Sequence, residues 1–138
     1  MTDTLEERAE DTSLSEVDKQ AERDGILASL RVLHKFISWW EIEGFGLVVC
    51  RRFRRTETLT FANASQAADK KFEAGAGNAS ELMNICETAV KTTCVWPKDA
   101  HTSDFFKRLF DEYPDWSGDA AVAIQKLSKE GIQTEGKG

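Results

Sequence analysis

With 138 residues, 30% of them charged, and no run of about 18 apolar residues, the chain is sized for one domain with one core and contains no segment that reads as a transmembrane helix. Its three cysteines, Cys50, Cys86 and Cys94, form no even, closely spaced framework and read as reduced thiols. The acidic, polar start MTDTLEERAEDTS lacks the basic and apolar stretches of a secretory signal, so the expectation is a soluble cytoplasmic protein.

The net charge of −6 is unevenly placed: residues 1–24 hold nine acids against three bases, and the remainder is balanced at 15 of each. The body therefore has no global field to attract nucleic acid or an anionic membrane surface. Apolar residues in 1–24 are sparse (Leu5, Leu14, Val17), too few to offset the entropy of ordering. This stretch is expected to be a disordered acidic arm, with at most a transient helix over Ser15–Arg23. Residues 25–131 are expected to form a single domain and 132–138 a flexible polar tail.

Residues 26–53 carry two competing patterns. Ile26, Leu30, Leu33, Ile37 and Trp40 fall on one helical stripe. Yet FISWWEI and LVVCRRF are rich in β-branched and aromatic residues, and Gly44-Phe45-Gly46 between them is turn material. The favoured pattern is a β-hairpin of about 34–42 and 46–53, preceded by a short helix or extended segment. The rival is one helix from Ile26 to Trp40 followed by a single strand.

From Thr58 the signals are helical. Phe61, Ala64, Ala68 and Phe72 share a face, and Gly75 and Gly77 close that helix. Asn78 is placed to cap the next, with Glu81 three residues on and Leu82, Ile85, Cys86, Ala89 and Val90 as its apolar face. Thr102 or Ser103 caps a short aromatic helix carrying Phe105, Phe106, Leu109, Phe110 and Tyr113, which Pro114 ends. A last helix runs from Trp116 or Asp119 to Lys129 and stops at Gly131. The expected fold class is α+β: a small, mainly helical domain of about four helices with a hairpin on its N-terminal side.

No catalytic, metal or cofactor motif emerges. Cys86 and Cys94 are eight apart, Cys50 is distant, and no CxxC or HxxxH accompanies His34 and His101, so zinc-ligand spacing is missing. Gly75 and Gly77 are not followed by the Lys-Ser/Thr of a phosphate loop. The expectation is a non-enzymatic protein that takes no cofactor and binds another protein, with self-association left open.

Two features suggest a surface for that partner. Arg51, Arg52, Arg54 and Arg55 form the sharpest charge cluster; they are either a contact for an acidic partner or a solvated strand end paired to carboxylates such as Glu41 and Glu43. Adjacent Trp39 and Trp40 on a strand must face opposite ways, so one belongs to the core and the other to the surface, with Phe45 at the turn beside them.

The order of VVCRRFRRTE, an alanine-rich helix, TTCVWPKD, FFKRLFDEYPDW and AAVAIQKLSKEG over roughly residues 34–131 resembles small tail-assembly chaperone-like proteins of tailed bacteriophages. Phe53 and Arg54 stand where that pattern usually has a proline, and the acidic arm has no counterpart in it. The resemblance implies binding to a long helical tape-measure protein during tail assembly in the host cytoplasm. The alternative is a small structural component retained in a virion or other complex.

Overall fold

The computed structural model of the chain describes residues 5–77 and 79–131. The chain divides into two units, residues 1–35 and 36–138. The first is a single helix, α1, spanning Leu5–Leu33. This differs from the disordered arm expected over 1–24. Residues 5–24 carry few apolar side chains, but they also lack proline and glycine, and most are Glu, Ala, Leu, Lys, Arg or Gln, whose summed propensity favours a helix. Within α1, Leu27 is buried while Val17, Val32 and Leu33 are exposed. The tail over 132–138 and the expected cap at Asn78 lie outside the described residues.

The second unit opens with the hairpin: β1 (Ile37–Ile42) and β2 (Gly46–Arg51) pair antiparallel, with Ile37 opposite Arg51 and Ile42 opposite Gly46. The rival helix to Trp40 is excluded, because α1 stops at Leu33 and the β-branched, aromatic run pairs as a strand. Gly44 makes the turn at φ +87°, a conformation that a side chain would strain. A third strand, β3 (Cys94–Trp96), adds to β2 and gives the order β1-β2-β3. Its three residues are too short for a periodicity to announce them in the sequence.

Four more helices follow in this unit: α2 (Arg55–Glu73), α3 (Ala79–Thr93), α4 (Phe105–Glu112) and α5 (Trp116–Leu127). The described residues thus form an α+β, mainly helical chain of five α-helices and a three-stranded antiparallel sheet. α3 and α5 pack against each other and against the sheet. Strand alternation sends Trp40, Ile42, Val48 and Cys50 to one face, where they join Val90, Phe106, Leu109, Phe110, Ala120 and Ile124 in one core. Most of these are fully buried, and Leu109, Ile124, Val48 and Val90 have no exposed surface.

Aromatic contacts knit the ends together. Trp40 meets Trp116 edge to face at 5.1 Å between centroids. Phe45, at the hairpin turn, packs edge to face on Phe105 at 5.7 Å and on Tyr113 at 6.0 Å. The Tyr113 hydroxyl donates to the Glu43 carbonyl at 2.9 Å, tying the turn to the end of α4. Among the described residues, no helix is long and apolar enough to cross a membrane.

Candidate functional site

The hairpin distributes the expected partner-binding residues unevenly. Trp39 and Trp40 do face opposite ways: Trp40 joins the core and Trp39 keeps 38% of its surface exposed. Across the sheet, Trp39 is opposite Val49, and Val49 is opposite Trp96, so a valine with no exposed surface sits between two tryptophans. Phe45 is anchored by its two aromatic neighbours rather than presented at the turn.

The four arginines also separate. Arg51 is largely buried and forks onto Glu57, with Nη1 2.7 Å from Oε1 and Nη2 2.9 Å from Oε2. It pairs with neither Glu41 nor Glu43, because its guanidinium turns toward the start of α2. Arg51 Nη2 also donates to the Thr92 carbonyl at 3.2 Å and Nη1 to the Arg52 carbonyl at 3.0 Å. Arg52 is half-buried, its guanidinium 4.7 Å above the Phe36 ring. Arg54 and Arg55 are exposed.

Arg54 is the residue before α2, and its backbone N–H donates to Glu57 Oε1 at 2.8 Å. Glu57 therefore caps the helix and neutralises Arg51 together. The hydrogen bonds from Arg51 outweigh its partial burial and hold its carboxyl down at about 2. The same pairing raises Arg51 further above its ordinary range.

Beside this ion pair lies a cleft of about 340 Å³ between α2 and α3. This is within the roughly 300–1,000 Å³ range of ligand-sized pockets. Its apolar lining is Phe53, Phe61, Ala64, Ile85 and Ala89, with Phe53 and Phe61 in ring contact at 5.3 Å. Thr56 and Thr60 on α2 and Thr88 and Thr92 on α3 complete the walls with Asn84, and Glu57 adds its edge.

Three of the threonines use their hydroxyl proton within their own helix. Thr60, Thr88 and Thr92 each donate their hydroxyl to the carbonyl four residues back, at 2.9, 2.8 and 2.8 Å. A hydroxyl that donates to its own helix has no proton left to offer a ligand, while its oxygen can still accept. The floor is aromatic and aliphatic carbon, and the threonines, Asn84 and Glu57 edge it.

No sequence motif singled out this cleft. Its signal was the recurrence of threonine at four-residue spacing, Thr56-Thr60 and Thr88-Thr92, in helices where threonine is a poor former. Which two helices would face each other required the tertiary fold.

The remaining chemistry-bearing residues are dispersed. His101 Nε2 is 2.7 Å from the Lys91 carbonyl and its ring lies edge to face on Phe106. Among the described residues, no group of three or more His, Cys, Asp or Glu side chains is placed to hold a metal ion. Comparison of the chain with protein-family models, with curated proteins and with solved structures finds no match to it.

Proposed function

We propose that the chain is a non-enzymatic binding protein, a bacteriophage tail-assembly chaperone that keeps a helical tape-measure-type client soluble in the host cytoplasm. The client's apolar stripe is received by the α2–α3 cleft. The observation that carries this reading is the cleft itself: a concave surface with an apolar floor between two consecutive helices. An amphipathic helix lays leucine-like side chains at i, i+3 and i+4 into such a groove. The class of client comes from the resemblance over residues 34–131.

Two further features support the reading. The exposed Arg54 and Arg55 stand at the start of α2, which forms one wall of the cleft, and they would steer acidic segments of a client. Trp39 offers a second apolar contact on the sheet.

Co-expression with a candidate tape-measure protein tests the proposal. Soluble client should accumulate with the wild-type chain and not with Thr60→Trp or Thr88→Trp, which place an indole across the cleft from exposed positions. Client that stays insoluble with the wild-type chain, or soluble with both variants, contradicts it. Mass spectrometry of purified particles separates the alternative: a chaperone is missing from the particle and a structural component is retained.

A further inference from the structure

Cys50 and Cys94 are register partners on the neighbouring strands β2 and β3. The register shifts by one residue just before this pair, and register partners on regular antiparallel strands have Cα atoms about 4.5–5.5 Å apart, inside the roughly 4.4–6.8 Å span that a disulfide bridges. Both are free thiols and both are buried. Each also has a backbone acceptor: Cys50 Sγ is 4.0 Å from the Val90 carbonyl and Cys94 Sγ 3.2 Å from the Trp96 carbonyl.

We propose that Cys50 and Cys94 form an oxidant-sensitive dithiol site, in which a hydroperoxide converts the two thiols into an intrachain disulfide that ties β2 to β3. The bond would sit at the foot of the α2–α3 hairpin. β2 ends at Arg51, four residues before α2 begins, and β3 begins at Cys94, directly after α3. The closed loop would contain both helices and the whole cleft between them.

The two thiols are not equivalent. Cys94 keeps 5% of its surface exposed and Cys50 none, so a small peroxide meets Cys94 first. The neighbouring Cys50 thiol holds the Cys94 thiol below its ordinary range, whereas Cys94 and burial hold Cys50 well above it. Cys94 is therefore the nucleophile and Cys50 the resolving thiol.

In the first step the Cys94 thiolate attacks the peroxide oxygen, the O–O bond breaks, and the departing alkoxide takes a proton and leaves as an alcohol. Cys94 is then a sulfenic acid. In the second step the Cys50 sulfur attacks the Cys94 sulfur, an S–S bond forms, and the hydroxyl leaves with the Cys50 proton as water. The pair loses two electrons and two protons, and the peroxide is reduced to alcohol and water. Cys86, half-buried on α3 and raised by burial and the Glu87 charge, stays outside this chemistry.

The test is hydrogen peroxide added to the folded full-length chain, followed by intact mass and non-reducing peptide mapping. Wild type and Cys86→Ser should both lose two hydrogens, yield one peptide joining Cys50 to Cys94, and recover on treatment with dithiothreitol. Cys50→Ser should stop at a sulfenic acid on Cys94 that a dimedone probe traps. Oxidation confined to Cys86, a covalent dimer, or a Cys50–Cys94 bond that forms only after denaturation overturns the proposal. The wild-type map carries the result even where a serine variant fails to fold.

Discussion

Arg51 and Glu57 join three elements through one ion pair. The guanidinium lies on the end of β2, the carboxylate on the first turn of α2, and a third hydrogen bond reaches the Thr92 carbonyl near the end of α3. The pair is therefore the brace at one end of the cleft. Both side chains are largely withdrawn from solvent, with 11% and 19% of their surface exposed, so solvent screening removes little of the interaction.

A pH dependence follows from that pair. Glu57 titrates at about 2 in the folded chain and near 4.5 when unpaired. A depressed carboxyl contributes stability that is fully present above about 4.5 and is lost as the pH falls from there toward 2. The contribution is on the order of 2–3 kcal/mol. Urea unfolding at pH 7 and pH 3 should show Glu57→Gln less stable than wild type by about that amount at pH 7. The gap should narrow at pH 3, and a gap independent of pH would assign the loss to packing.

The adjacent tryptophans should separate stability from binding. Trp40 joins the core and meets Trp116 edge to face, so Trp40→Ala should cost about 3 kcal/mol. Trp39 is 38% exposed, and Trp39→Ala should cost about 1 kcal/mol or less. Thermal melts of the two variants check this, and equal losses would mean that the outer face is as tightly packed as the inner one.

The aromatic helix is a core element. Phe106 is 6% exposed, stacks on Phe110 at 5.8 Å and touches Phe105 and His101. Phe106→Ala should destabilise by about 3–5 kcal/mol. An unchanged melt accompanied by lost partner binding would move this cluster from the core to an interface.

Residues 16–22 of α1 are all exposed, and the segment 1–24 carries the whole net charge. A chain lacking residues 1–24 should keep its cooperative melt within a few degrees while losing solubility. Loss of cooperative unfolding would show that this segment stabilises the fold.

Much of the second unit was legible because its signals are local. The hairpin followed from two β-rich runs around Gly44-Phe45-Gly46, and Gly75 at φ +77° closes α2 as its position suggested. The start of α2 was missed by three residues: Arg54 offers no side-chain oxygen of the usual capping kind, and the cap is supplied by Glu57 instead. β3 and the extent of α1 were not legible for opposite reasons. The strand is shorter than any period, and the first two-thirds of the helix carries too few apolar residues to show one. At the candidate site, alternation separated Trp39 from Trp40, but nothing local could tell that Phe45 would dock on Phe105, that Arg51 would turn to Glu57, or that two threonine-bearing helices would enclose a cleft.

The most direct test of the central claim is a titration of the folded chain with an amphipathic helical peptide taken from a candidate tape-measure protein, followed by calorimetry. The wild-type chain should bind it, Thr60→Trp and Thr88→Trp should bind at least about tenfold more weakly, a loss of about 1.4 kcal/mol, and all three should melt alike. Wild-type affinity retained in both cleft variants and abolished by Trp39→Ala would contradict the assignment of the client to the α2–α3 cleft.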